Sequence, residues 1–297
     1  MNSVEAFNIT VLGSGSSTPT ISRNLSGQLL NIRGKYYLID CGEGTQFQLI
    51  RYKLKYQKID HIFISHLHGD HYFGLVGLLS SMHLLGRTKD LNVYGPPELE
   101  GIINSQIRDH NKGLNYKVLF NVLGFGGQEI ILDNKHITIE TIKLKHRILC
   151  NGFLIKEKKR PRTLIPKAIE KYNIPVYERA NIKNGADFIM ESGEKVENEK
   201  MTSSPVPPRS YAYCSDTAYY ESIIEHIKGV DLLYHEATFM NDLKERAKET
   251  FHSTAEQAAT IALKSGVKKL LLGQPFENLL RWQWQSHSDG LSWQHPV

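Results

Sequence analysis

Ser65-His66-Leu67-His68-Gly69-Asp70-His71 is the stretch on which the reading of this chain turns. Its three imidazoles and one carboxylate fall between His66 and His71 and are costly to bury unless something coordinates or neutralises them. His66 and His68 alternate, so in an extended segment they point to one side. Gly69 lets the chain turn, and Asp70 and His71 follow it. One pair can therefore serve one metal ion and the next pair a second ion close by. A solvated polar loop, or a single structural metal, is the plainer alternative. The preceding Ile59-Asp60-His61-Ile62-Phe63-Ile64 weighs against it, because that run reads as a buried strand. Polar residues at the carboxyl end of such a strand sit where open α/β sheets build their sites.

The surrounding chain is that of a soluble globular protein: 297 residues, 40% hydrophobic and 23% charged, enough for one large domain or two ordinary ones. There is no apolar run of about 18 residues, so no membrane span is expected. The opening Met1-Asn2-Ser3-Val4-Glu5 has no secretory pattern. The three cysteines, Cys41, Cys150 and Cys214, are odd in number and unpaired in spacing. They imply a reducing compartment, hence a cytoplasmic location, with each thiol acting as a small buried hydrophobe. A net charge of +5 permits a polyanionic partner without demanding one.

Short apolar runs separated by turns and amphipathic stretches predict strands at Phe7–Leu12, Gln28–Ile32, Tyr36–Asp40, His61–Ser65, Leu91–Tyr94, Ile137–Leu144, Arg209–Cys214, Leu232–His235 and Lys269–Leu272. Helices are predicted at Thr45–Tyr52, His71–Leu85, Glu98–Asn111, Thr217–Ile227, Met240–Lys248 and Thr254–Ser265, the last opened by a capping box with Gln257. No internal repeat is visible, and the pattern is mixed α/β. From about Lys156 to Pro208 the rhythm breaks into a charged, proline-rich stretch, with Pro166–Tyr172 as a helical piece inside it. Between Lys156 and Lys171 it carries seven Lys or Arg against two Glu. It reads as an insertion projecting from the core, and long loops of distinct composition are commonly functional.

Further polar residues each end or follow a predicted strand, or precede the capped helix: His146, Asp216, His235, Glu236 and His252. Singly, such residues are ordinary. If such strand ends converge on one rim beside the histidine run, His146 and Asp216 would complete a two-ion centre. His66, His68 and His146 suit one ion, and Asp70 and His71 the other, with Asp216 placed to bridge. Imidazole with carboxylate suits zinc best, with manganese or iron as weaker options. Two ions about 3.5–4 Å apart can stabilise both oxygens of a phosphodiester displacement. A His–Glu pair, with Glu236 orienting His252, is a natural proton donor to the leaving group.

These residues carry a resemblance. His66-x-His68-x-Asp70-His71 resembles the metallo-β-lactamase signature. More specific words narrow it: Leu12-Gly13-Ser14-Gly15, Pro19 to Arg23-Asn24, Asp40-Cys41-Gly42-Glu43-Gly44-Thr45-Gln46, Ser215-Asp216-Thr217, His235-Glu236-Ala237-Thr238 and His252-Ser253-Thr254. Together they resemble the ribonuclease Z family over roughly residues 6–273. The resemblance implies one metallo-β-lactamase domain over 1–297, an αββα sandwich with a protruding arm at about 156–208. It implies an endoribonuclease that cuts precursor tRNA 3′ to the discriminator nucleotide, acts as a homodimer and holds two Zn²⁺ per subunit. It also implies Asp70 as ligand and general base, Glu236 and His252 as the proton-transfer pair, and RNA contacts at Arg23, Asn24, Lys158, Lys159, Arg160 and Arg162.

Two departures from the family pattern stand out. Ile21 sits where the early loop of the family has a lysine, which would alter discrimination of the RNA 3′ end. After the last core strand the family carries a histidine that ligates the second ion, and here the chain reads Leu271-Leu272-Gly273-Gln274-Pro275. An amide is a poor zinc ligand beside imidazole, so the second ion should bind less tightly. The tail 274–297 holds all three tryptophans and does not resemble the family's closing segment. It reads as a divergent end or an altered reading frame, unless His287 or His295 folds back as the missing ligand.

Overall fold

Alternate residues of the central strands enter different cores. Tyr37 and Ile39 lie in one cluster and Leu38 in another, and Tyr211 and Tyr213 part in the same way from Ala212 and Cys214. This period of two runs through strands covered on both faces. The computed structural model describes residues 6–17, 19–20, 23–107, 113–124, 126–274, 283–287 and 290–294, the last two stretches as backbone only.

The first sheet has the order β1-β2-β3-β4-β5-β6: β1 (Phe7–Gly13), β2 (Gly27–Ile32), β3 (Lys35–Ile39), β4 (Ile59–Phe63), β5 (Leu91–Gly95) and β6 (Val118–Val122). Its outer face is covered by α1 (Thr45–Arg51), α3 (Leu75–Leu84) and α4 (Leu99–Ile107), which bury Leu49, Leu75, Leu78, Leu79, Met82, Leu99 and Ile103. In α3 the buried spacing of three and four residues marks the sheet-facing stripe.

The second half opens with β7 (Ile130–Asp133), β8 (Ile137–Lys143) and β9 (Asn151–Glu157). Between β9 and β14 (Ser210–Cys214) the inserted segment forms β10 (Thr163–Leu164), α5 (Pro166–Lys171), α6 (Arg179–Lys183), β11 (Phe188–Ile189), β12 (Lys195–Val196), α7 (Asn198–Met201) and β13 (Thr202–Ser203). The insertion has its own core of Leu164, Ala168, Ile174, Ile182, Phe188, Val196 and Met201. β15 (Leu232–Glu236), α8 (Lys244–Thr250), α9 (Ala255–Ser265) and β16 (Leu270–Gly273) follow, and the second sheet reads β16-β15-β14-β9-β8-β7. The sheets meet over Phe63, Tyr94, Phe153, Tyr211, Tyr213 and Tyr234, and α9 covers the outer face of the second. The result is the four-layer αββα sandwich. β17 (Gln283–His287) and β18 (Gly290–Gln294) pair as a separate hairpin.

Three expectations need correction. The predicted helix 71–85 is two pieces, α2 (Gly69–Tyr72) and α3. The chain is pinned between them: Gly74 N donates to Cys41 O at 2.9 Å, and a Cβ there would lie 2.2 Å from Gly42 O. The predicted helix 217–227 is a loop with one short 3₁₀ turn at Glu221–Ile223. The backbone N–H groups of Thr217 and Ala218 are spent on Glu236 Oε1 and Lys145 O. Strands β6, β7 and β9 were not predicted; β9 is buried on both faces and shows no alternation. The capping box of α9 is present, with Thr254 and Gln257 exchanging hydrogen bonds. All three cysteines are free and buried. No described helix is long and apolar enough to cross a membrane. Ile21, His295 and the side chain of His287 lie outside the described residues.

One ion cluster ties the two sheets. Glu157, at the end of β9 with its side chain 1% exposed, takes Arg209 Nε at 2.8 Å and Arg160 Nη2 at 3.0 Å, and Arg33 beside β2 comes within 3.5 Å. Burial alone would raise its pKa, but the Arg209 and Arg160 guanidiniums outweigh burial and hold it at about 2 against a usual 4.5. A depressed folded-state pKa gives stability that is present above the unfolded value and is lost as pH falls toward the folded one. Glu157→Gln is therefore expected to cost about 3 kcal/mol in urea unfolding at pH 7. The gap from wild type should close between about pH 4.5 and 2. A pH-independent gap would refute the ion-pair account.

Candidate metal centre

The parallel pairs β3–β4 and β14–β15–β16 end on one rim, and their following residues face each other there. Ser65 Oγ lies 3.1 Å from Ser215 Oγ although 150 residues separate them. On this rim the imidazoles converge: His66 Nε2 is 3.0 Å from His68 Nδ1, and His146 Nε2 is 3.2 Å from the same atom. Asp216 closes the group. The ligating atoms of His66, His68, His146 and Asp216 lie within 4.8 Å of one another. Asp216 Oδ2 stands 3.6 Å from His66 Nε2 and 3.8 Å from His146 Nε2. Its Oδ1 turns the other way, 3.4 Å from His71 Nε2. Asp70 Oδ2 lies 3.5 Å from that same nitrogen. The structure thus gathers all six expected metal ligands into two adjoining groups that share Asp216.

The ring nitrogens that face away are occupied. His146 Nδ1 donates to Phe251 O at 3.0 Å, and His71 Nδ1 donates to Asp40 Oδ2 at 2.7 Å. Such bonds fix the tautomer and leave the other nitrogen's lone pair for a ligand. Burial holds the His146 imidazole down at about 4, against the pull of Asp216. Burial, with His66 beside it, also lowers His68. Both rings are neutral at pH 7, the form that binds metal. Among the described residues Asp216 Oδ1 is buried without a hydrogen-bond partner, a lone pair aimed at the space between the groups.

Asp40 is a functional residue that sequence reasoning missed as such. It has a left-handed φ of 55° at the end of β3. Its carboxylate also accepts from Ser65 N, Ser65 Oγ and Tyr213 OH. In the sequence Asp40 opens the Asp40-Cys41-Gly42-Glu43-Gly44-Thr45-Gln46 word of the resemblance, which assigned it no role.

Beside the cluster, His252 Nδ1 donates to Glu236 Oε1 at 2.8 Å. The same carboxylate accepts from Thr217 N, Thr238 N and Thr238 Oγ1, so it is locked in place. Burial would lower the His252 pKa, but Glu236 outweighs it and the net shift is upward. The His252 ring centroid is 5.2 Å from that of His146. His235 points away, with Nδ1 on Glu236 O.

The early loop reaches this rim, since Ser17 N donates to Asp70 Oδ2 at 2.8 Å. Arg23 and Asn24 sit at its base, where Gly15 N donates to Asn24 O. The basic residues expected to bind RNA at the insertion divide. Lys158 pairs with Asp133 and Arg160 with Glu157. Lys159, Arg162 and Lys183, and Arg160 as well, line a cleft of about 740 Å³ together with Asp187, Glu197 and Glu199.

A two-sheet sandwich with His and Asp ligands gathered at one strand-end rim defines a metallo-β-lactamase-fold protein. The YhfI metallo-β-lactamase fold protein of Bacillus subtilis matches at TM-score 0.62 and 20% identity, over 91% of this chain and 86% of that one. The short form of human tRNase Z (ELAC1) matches at TM-score 0.67 and 26% identity, over 91% and 93%. Ribonuclease Z of Phocaeicola vulgatus is 51% identical over 270 residues, 91% of this chain and 87% of the relative. The family model described as "Anti-Pycsar protein Apyc1" matches residues 7–160, from β1 to the start of the insertion. The chain belongs to the ribonuclease Z family, with a first half that also fits the Apyc1 model.

Proposed function

We infer that this chain is a metal-dependent endoribonuclease that cuts precursor tRNA 3′ to the discriminator nucleotide and leaves a 3′-hydroxyl on the tRNA. The observation that carries this reading is the convergence of His66, His68, His146 and Asp216 within 4.8 Å in a ribonuclease Z relative. The residues fit a pair of divalent cations. Imidazole nitrogens, and a carboxylate oxygen without a partner among the described residues, would otherwise face one another. His66, His68 and His146 would hold one ion and Asp70 and His71 the other, with Asp216 between them. Zinc is the ion that the imidazole-rich position suits. When bound, such ions supply Lewis-acid polarisation of the scissile phosphate and a water nucleophile near neutral pH.

The chain's own residues do the rest. Asp70, steadied by Ser17 N, accepts the proton of the attacking water. His252, raised in pKa and oriented by Glu236, donates a proton to the departing 3′ oxygen. Gln274 stands where the family has its last metal-ligating histidine, so the second ion is held less tightly than the first.

The test is cleavage of a precursor tRNA with and without added Zn²⁺ or Mn²⁺. Metal-dependent cleavage is expected, with none from Asp70→Ala. Gln274 also favours a second reading, a tRNA-binding protein with an impaired centre. Salt-sensitive tRNA binding without cleavage in excess metal would establish that one instead.

The insertion at about 156–208 would grip the RNA by its phosphates, recognising shape rather than sequence. Lys159 and Lys183 are its exposed cations in the cleft. Lys159→Ala with Lys183→Ala is expected to weaken tRNA binding and flatten the dependence of log K on log salt by about one unit per lysine. An unchanged slope would remove the cleft from the interface. Deleting the insertion separates this reading from that of another phosphodiesterase of the same fold, whose activity would not need it.

A homodimer in the cytoplasm completes the reading. Supporting it, Phe47 and Ile50 of α1, Phe73 of the α2–α3 junction and Leu84 and Leu85 at the end of α3 are exposed apolar side chains. The two helices that carry them are tied by Ser81 Oγ donating to Gln46 Oε1.

A further inference from the structure

We propose that Gln274 makes the second metal position of this chain weakly selective for Zn²⁺, so that it is loaded by a harder divalent cation such as Mn²⁺ while the three-histidine position keeps Zn²⁺. The proposal rests on the two-ion reading above and adds which ion goes where.

Gln274 is 1% exposed at the end of β16. It holds a left-handed φ of 53°, a conformation that is costly for a non-glycine residue and persists where the surroundings impose it. Its Nε2 lies 3.1 Å from His71 Nε2 and 3.3 Å from Ser26 Oγ. Its Oε1 is buried without a hydrogen-bond partner among the described residues. Leaving such an oxygen unpaired in the interior is unfavourable.

His71 Nδ1 is committed to Asp40, and the Gln274 amide lies against its Nε2, the nitrogen that faces the second position. A half-turn of that amide exchanges its nitrogen and oxygen. Oε1 then faces the space that His71 Nε2 shares with Asp70 Oδ2 at 3.5 Å and Asp216 Oδ1 at 3.4 Å. The Ser26 hydroxyl, donor or acceptor by rotation, accommodates either orientation.

The two positions then differ in ligand chemistry. The first offers three imidazole nitrogens and one carboxylate oxygen. The second offers one imidazole and three oxygens: two carboxylate and one amide. Carboxylate and carbonyl oxygens suit Mn²⁺ and Mg²⁺, whereas imidazole favours zinc. Zinc still outbinds manganese at equal concentration in the general order of stabilities. What shrinks is the margin, so an excess of the harder ion fills the second position.

The experiment uses the full chain, stripped with a chelator and dialysed against buffered mixtures of Zn²⁺ and Mn²⁺. Bound metals are counted by elemental analysis, and bound Mn²⁺ is read by electron paramagnetic resonance. One Zn²⁺ is expected to stay under all mixtures. The second ion should exchange, with a Zn²⁺-over-Mn²⁺ preference smaller by about tenfold or more, the range seen when even an outer-shell partner of a metal is lost. Gln274→His should restore that preference at the second position and leave the first unchanged. Gln274→Glu, which keeps an oxygen at the same reach and adds charge, should tighten Mn²⁺. Two Zn²⁺ held with equal preference by wild type, or the same ion ratio in wild type and Gln274→His, would overturn the proposal while leaving the two-ion centre standing. A wild-type chain that takes up neither ion would overturn the two-ion reading as well.

Discussion

Asp216→Ala is expected to abolish both metal retention and cleavage of precursor tRNA, with kcat/KM falling by on the order of 10³-fold or more. Asp216 alone reaches both groups: Oδ2 toward His66 and His146, Oδ1 toward His71. On the two-ion reading proposed above, its removal would take a ligand from each ion at once. Metal stabilisation of the charge on a phosphoryl oxygen is worth several kcal/mol, and each 1.36 kcal/mol is a factor of ten in rate. Asp216→Asn separates charge from shape, since the amide keeps an oxygen on one side only. It should keep the ion on that side more tightly than the other. The measurement is metal content by elemental analysis beside single-turnover cleavage. An alanine variant that retained two ions and cut within tenfold of wild type would remove Asp216 from the centre.

His252→Ala is expected to lower kcat by about 10²–10⁴, the range of a well-placed general acid, while leaving metal content at the wild-type level. The ring reaches the rim from the loop before α9, and its Nδ1 is spent on Glu236 at 2.8 Å. Its remaining nitrogen is the one free to meet a substrate oxygen. Because Glu236 acts through His252, Glu236→Gln should be milder in the chemical step. It would also be less stable, since the buried carboxylate accepts from Thr217 N, Thr238 N and Thr238 Oγ1. Parallel loss of metal and activity in His252→Ala would show a ligand or structural role in place of proton transfer.

The strands whose residues alternate between two cores were legible, as were the helices with clean stripes and caps. α3 shows its stripe and α9 its capping box in composition alone. β9 was not legible. It opens with Asn151-Gly152, which reads as a turn, and nearly every side chain in it is buried, so the alternation that marks a half-exposed strand is missing. The segment after Asp216 shows the converse failure. Its residues have helical spacing, but Glu236 captures the Thr217 N–H, and a hydrogen bond from a distant strand overrides local propensity.

The site divides along the same line. The sequence by itself determined the candidate ligands: which residues carry imidazole or carboxylate, that His66 and His68 share a side, and that Gln274 stands where the resemblance expects a histidine. Residue type and local alternation are properties of the covalent chain. Only the tertiary structure decided that His146 joins His68, 78 residues away, at 3.2 Å. It also decided that Asp216 turns one oxygen to each group, and that Asp40 orients His71. These depend on two sheets ending their strands on one rim, and no local pattern encodes how strands far apart in the chain align.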